Sequence, residues 1–371
     1  MPVPTSVAAV VVDADQAELR LRLAGQLLAQ ADLEGGPPSL AARIRRLRVG
    51  LDGHALDHQL RLALQLNVVP GATELIDAWG AFVPGDALEV RFGVFKTPFT
   101  RYRDQSYQAL LLVDWPVAAK AFGAERQLGV AAGDGRPGED GLGWSAGVFT
   151  GVNTRKAFAT LVSDVYGLPL ENASDLGDGT GSYALHPEVF LRVTAGTPNM
   201  DAATGFDHDG GPARVLVGAS GAWDVTPDPA VDFVGRAAVE GLLKVSCVSV
   251  GTVGYLGLHD GGGGVQPAAV GGTGEIAWRV DPRLGVAVVG SRVDTLSSLR
   301  ASARDEAAAN PDSGAEGAGA LEQTAELGGG ATWFLHGTGL AVQLDGAWLR
   351  AVSSGVAEDG ARVRLQVQLV L

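Results

Sequence analysis

One cysteine in 371 residues leaves no partner for an intrachain disulfide, so Cys247 cannot staple the fold. Basic residues are also scarce. Twenty-eight Lys and Arg stand against 42 Asp and Glu, a formal charge of −14, which argues against a nucleic-acid binder. No run approaches eighteen apolar residues, so the chain holds no transmembrane helix. That absence leaves a membrane β-barrel open, because alternating strands escape window averages, and a mean hydropathy of +0.15 suits one. The opening "MPVPTSVAAVVVDADQ" has an apolar run but neither a basic n-region nor a small-residue cleavage site, so no signal peptide is expected in it.

Catalytic patterns are missing as well. There is no GxSxG, and "GGGG" at 261–264 is followed by neither Lys-Ser/Thr nor a helical pattern. The six His are scattered. His54 and His58 in "GHALDH" would need a helix to share a metal, and the segment reads as a turn. Asp207 and Asp209, or Asp175 and Asp178, could hold calcium weakly, although plain acidic loops are the simpler reading. No enzyme, no cofactor and no metal site are expected.

What the chain has is glycine, at 53 residues, and alternation. In "HQLRLALQLNVV", 58–69, Leu60, Leu62, Leu64, Leu66 and Val68 share one face, with Gln59, Arg61, Ala63, Gln65 and Asn67 on the other. The segment 362–371, "RVRLQVQLVL", repeats the pattern with Arg362, Arg364, Gln366 and Gln368 opposite Val363, Leu365, Val367, Leu369 and Leu371. Residues two apart lie on opposite sides of a helix, so these are strands. Further strands are expected at Ala17–Ala31, Arg43–Gly53, Thr73–Val83, Leu88–Lys96, Gln127–Ala132, Leu142–Gly151 and Pro187–Gly196. Then follow Arg214–Val225, Asp232–Gly241, Lys244–Leu258, Gly272–Val280, Leu284–Val293, Ala325–His336 and Gly339–Ala351. The total of about sixteen, near ten residues each, fits an all-β transmembrane antiparallel barrel.

The connectors alternate in character. Short turns follow Gly53 and fall at 84–87, 280–283 and 336–339, while 152–186, 197–212, 259–271 and 294–324 are long. Short turns on one rim and long loops on the other are the outer-membrane pattern. Trp79, Trp144, Trp223, Trp278, Trp333 and Trp348 sit in or near strands and suit either interfacial girdles or ordinary packing. No linker divides the chain, so residues 1–371 read as one barrel domain, with 1–16 a disordered or periplasmic N-terminal segment.

The ordered blocks "RIRRLRVGLDG", "LRLALQL", "LIDAWGAFV", "LEVRFGVFKTPFTRYRDQS", "ERQLGV" and "SAGVFTG" resemble the phosphate-selective porin family of bacterial outer membranes. A weaker likeness extends over about 320–371, including "ELGGGATWFLHGTGLAVQLDGAWLR". The resemblance implies a sixteen-stranded barrel in the outer membrane, a homotrimer, with 97–125 folded into the lumen as a constriction. It makes Lys96, Arg101, Arg103, Lys120 and Arg126 candidate solute contacts, and Arg46, Arg48 and Arg61 a basic track along the lumen wall. The alternative for these residues is pairing with acids such as Glu89 and Asp104 to hold the loop. The expected partners are small anions such as phosphate and the membrane lipid, with no nucleic acid. Other readings are a barrel closed by its loops, a cation-preferring porin, or a soluble β-sandwich.

Overall fold

The structure is a computed structural model. It describes residues 9–14, 17–33, 39–69, 72–85, 87–123, 126–134, 141–150, 187–198, 200, 205–208, 210–225, 234–260, 264–309, 321–336 and 339–370. Seventeen strands appear: β1 Ala9–Ala14, β2 Ala17–Leu33, β3 Ser39–Ala55, β4 Leu60–Val69, β5 Ala72–Gly85, β6 Leu88–Lys96, β7 Arg126–Gly133, β8 Leu142–Phe149 and β9 Glu188–Gly196. The rest are β10 Arg214–Asp224, β11 Gly235–Val245, β12 Val248–Asp260, β13 Val265–Asp281, β14 Leu284–Thr295, β15 Leu321–His336, β16 Leu340–Ser353 and β17 Val356–Val370. Every strand from β2 to β17 pairs antiparallel with its sequence neighbour, and β17 pairs with β2 from Ala361↔Leu33 to Val370↔Ala24. That last ladder closes a sixteen-stranded barrel. No helix among the described residues is long and apolar enough to cross a membrane.

Each of the sixteen segments expected from alternation becomes one of β2–β17. The faces are those of a barrel in lipid. On β17, Val363 and Leu365 are 43% and 45% exposed, while Arg362 and Arg364 are 7% and 4% exposed. The same inversion runs along β12, where Val250 is exposed and Ser249 and His259 are buried. A soluble sandwich would bury the apolar face; here lipid supplies its apolar surroundings.

Four features differ from the expectation. Residues 9–14 form β1, which pairs with the start of β2 from Ala9↔Leu21 to Ala14↔Ala17, rather than an unstructured segment. Its Val-rich run has a free stretch of β2 edge to complete, just beyond the point where β17 leaves it. Alternate connectors share a rim, so the long segment 197–213 lies among the short turns 56–59, 86–87, 246–247 and 282–283, not with the long loops. The expected loop 259–271 shrinks to 261–264, because β12 and β13 extend into it, and 294–324 contains helix α1, Ser297–Ala309. Of the two readings of the tryptophans, the girdle suits Trp144, Trp223, Trp278, Trp333 and Trp348, each at least 41% exposed on the outer face. Trp79 instead packs inward under Arg91, whose guanidinium carbon lies 4.4 Å from its ring centre.

Candidate functional site

The segment 97–125 leaves β6 through Thr97 and Phe99, both fully buried, and crosses the polar inner face of the barrel. It carries two short helices, α2 Arg101–Asp104 and α3 Val117–Phe122, with a 3-10 turn at Tyr107–Ala109 between them. The barrel wall holds it through hydrogen bonds to the backbone. Glu240 on β11 accepts from Arg101 N at 3.0 Å, Asp345 on β16 from Val113 N at 2.8 Å, and Glu326 on β15 from Val117 N at 3.0 Å. Ser291 on β14 accepts from Ala118 N at 3.0 Å, and Gln343 donates to the carbonyls of Leu110 and Leu111 at 3.3 and 3.0 Å. Phe99, Tyr102, Val117 and Phe122 pack with Val253, Tyr255 and Ala269 of the inner wall. These contacts fall on six strands, β11 to β16.

Two buried charge clusters lock this loop. Arg101, whose side chain is 1% exposed, donates Nη1 to Glu275 Oε1 at 2.7 Å. Burial alone would lower the Arg101 pKa, but Glu275, Tyr102 and Glu240 together outweigh it and the group stays cationic. The neighbouring Tyr102 phenol is pushed well above its ordinary value by burial and then by Glu275, so it stays neutral. Gly251 on β12 faces this pair, and a Cβ there would collide with Nη2 of Arg101. The second cluster centres on Asp114. Arg45 reaches it at 2.7 Å, Lys120 at 3.1 Å and Arg364 at 3.8 Å. Burial pushes the Asp114 carboxyl up, yet Arg45, Lys120, Arg364 and Arg46 together hold it well below the usual carboxylate range.

Arg45 was invisible to strict alternation. A bulge shifts the register where Gln26 faces Arg46 and Leu27 faces Ile44, which leaves Arg45 as the extra residue. It therefore turns inward beside Arg46 and also donates to Val113 O at 2.6 Å. The other expected residues divide into groups. Arg101 and Lys120 are buried anchors of the loop. Arg126 makes a two-bond pair with Asp77 at 2.9 and 3.0 Å, and Arg61 meets Glu89 at 3.1 Å. Arg103 lies in α2, and its side chain is outside the described residues.

Arg46, Arg48 and Lys96 form no ion pair among the described residues. Arg46 donates to Gln26 at 2.6 Å and lies 5.0 Å from the Tyr107 ring and 5.2 Å from the Trp115 ring. Arg48 lies 4.4 Å from the Tyr107 ring, and its Nε has no hydrogen-bond partner. Lys96 donates to the carbonyls of Asp104 and Gln105 at 3.1 and 2.6 Å. The loop's aromatic residues thus orient cations on β3, while its carbonyls orient the one at the end of β6. Opposite them Asp104 keeps a side chain 49% exposed.

A closed barrel, apolar outside and charged inside, with a long loop hydrogen-bonded to its inner wall, is the architecture of an outer-membrane porin. The sequence agrees: the family model for phosphate-selective porin O and P matches residues 30–207. The resemblance seen in the motifs up to residue 151 falls within that match, and the weaker likeness at 320–371 lies beyond it. Among solved structures, the outer membrane channel DcaP of Acinetobacter baumannii is 12% identical, covering 97% of this chain and 99% of that one with a TM-score of 0.64. Pseudomonas putida OprB is also 12% identical, with 96% and 94% covered and a TM-score of 0.61. An anion-selective porin from Comamonas acidovorans is 10% identical, with 95% and 100% covered and a TM-score of 0.59. At these identities the likeness is one of fold. No curated protein sequence matches significantly.

Proposed function

We propose that the protein is a passive diffusion channel of the bacterial outer membrane for small hydrophilic solutes, with a preference for anions that includes phosphate. The observation that carries this reading is the trio Arg46, Arg48 and Lys96, cations held at the narrowed lumen without a carboxylate partner among the described residues. Cations that make no direct ion pair keep part of their field available to mobile anions. Spread over several side chains, that attraction lowers the barrier without trapping the solute. Arg48, Lys96 and Arg126 are the solute contacts in this reading, with Arg61 further along the wall; Arg101 and Lys120 hold the loop. Guanidinium groups also favour oxyanions over chloride, because their paired donors match two oxygens. The protein works as a homotrimer in this reading, a state that the solved OmpT of Vibrio cholerae adopts.

The test is the reversal potential of the purified protein in a planar bilayer under a salt gradient, followed by addition of phosphate. Discrete steps, an anion-favouring potential and block by phosphate are expected. A cation-favouring potential keeps the pore and overturns the anion preference. Absence of steps favours a closed barrel, to which the buried inner faces of β11–β17 would then be ascribed.

A further inference from the structure

The segment 197–213 belongs to the short-turn rim, yet its described residues reach inward. Met200, 1% exposed, packs on Leu216 and Leu242 of the inner face. Phe206, 5% exposed, packs against Ala277, Ala287, Val289, Phe334 and Ala341. Polar contacts hold it there. Arg279 donates Nη1 to the carbonyl of His208, Arg214 meets Asp207 at 2.5 Å, and the His208 ring stands edge-on to Phe334 at 5.0 Å between centres. This segment also touches the loop entering from the other rim. Leu111 and Leu112 of 97–125 share the Phe206 cluster. Gly205, at φ +71°, lies so close to the carbonyl of Ala109 that a Cβ would collide with it.

The opposite wall is different. Gln26, Arg46, Arg48 and Asn67 are buried there too, but nearer the short-turn ends of β2–β6 three arginines stay open to water: Arg22 is 50% exposed, Arg61 38% and Arg91 34%. Arg61 and Arg91 share a single carboxylate, that of Glu89, at 3.1 and 2.6 Å. Two guanidinium groups on one carboxylate leave a net positive charge on that wall.

We propose that the described residues of 197–213 form a second partition of the lumen, which meets the loop 97–125 at Leu111 and Leu112. It seals the β10–β16 side toward the short-turn rim with an apolar seam of Phe206, Leu111, Leu112 and Phe334. Water and ions avoid such a seam. Solutes that pass the upper narrowing therefore leave along β2–β6, and the Arg61–Glu89–Arg91 triad sets the charge of that exit for small anions. This rests on the channel reading above, but its geometry can be tested without conduction.

The experiment uses the full chain with Cys247→Ser and one new cysteine, either Ala63→Cys on the open wall or Ala287→Cys behind the seam. A small charged thiosulfonate is added to the folded protein in detergent, and its attachment is followed by mass. Ala63→Cys is expected to react about tenfold or more faster, because labelling behind the seam must wait for local opening. Adding Phe206→Ala, or Leu112→Ala from the other side of the seam, speeds labelling at Ala287→Cys and leaves Ala63→Cys unchanged. Equal rates at the two cysteines, or rates at Ala287→Cys that neither seam variant alters while the barrel remains folded, overturn the partition. The labelling contrast without bilayer steps would sink the channel reading and keep the partition. Steps without the contrast would do the reverse.

Discussion

Replacing Glu275 by Gln removes the carboxylate that faces Arg101 while keeping nearly the same shape. Arg101 then remains buried, at 1% side-chain exposure, with the ring of Tyr102 and the more distant Glu240 as its remaining neighbours. Removing one partner of a buried ion pair costs about 3–5 kcal/mol. If the whole cost fell on docking of 97–125, the docked population would drop relative to the undocked one by roughly two to nearly four decades. The amide still accepts one hydrogen bond, so the lower end of that range is expected. The assay is single-channel recording together with limited proteolysis of the folded barrel. Wild type should show quiet steps and resist cleavage within 97–125, whereas Glu275→Gln should flicker toward higher conductance and be cut there. The double variant Arg101→Met with Glu275→Leu should recover most of the quiet behaviour, since a buried pair replaced as a unit is often neutral. If Glu275→Gln and the double variant behave alike, or if neither differs from wild type, Arg101 does not fasten the loop.

Other outcomes are equally specific. Because the Asp114 carboxyl titrates below its unfolded value near 3.9, its hold on Arg45, Lys120 and Arg364 is complete above that value and is lost as pH falls through the folded pKa. Proteolysis of 97–125 should therefore be the same at pH 7 and pH 5 and rise only in stronger acid; a transition near neutrality would contradict it. Arg48→Ala should shift the reversal potential away from anions with the barrel intact by heat-modified gel mobility, and an unchanged potential would remove Arg48 from the path. Gly251→Ala should cost about 1–3 kcal/mol through overpacking against the Arg101–Glu275 pair, read as a fall in the urea midpoint for refolding into lipid vesicles.

The barrel was legible because lipid imposes a strict period of two. Val363, Leu365 and Val367 could face one way only once Arg362, Arg364 and Gln366 faced the other. Turns were less so. In "LLKVSCVSVG" apolar character continues straight through, and the reversal expected at 242–243 falls at Ser246–Cys247, where Ser246 adopts φ +57°. Arg45 escaped because one bulge suspends the alternation that gave Arg46 and Arg48 their face. The basic side chains of the candidate site could be named from the sequence, but not divided into anchors and free cations. That division depends on Glu275, Asp345 and Glu326, acids far along the chain that alternation places on the inner wall without saying what they meet. The inward turn of 197–213 had no signal beyond Met200 and Phe206 standing in a polar stretch, where isolated apolar residues rarely decide a conformation.

The fastening of 97–125 also bears on how the chain assembles. Its hydrogen bonds reach partners 139 residues away at Glu240, 174 at Glu275, 209 at Glu326 and 232 at Asp345, all on strands made after it. Contacts of such sequence separation form late, once loop closure has been offset by other pairings. The first nine strands of the barrel, β2–β10, therefore emerge with these fastenings unmade, the loop having only earlier partners such as Arg45 and Lys96. The loop is fully fastened when β11–β16 curl round to meet it, so its complete docking records the moment at which the cylinder becomes whole.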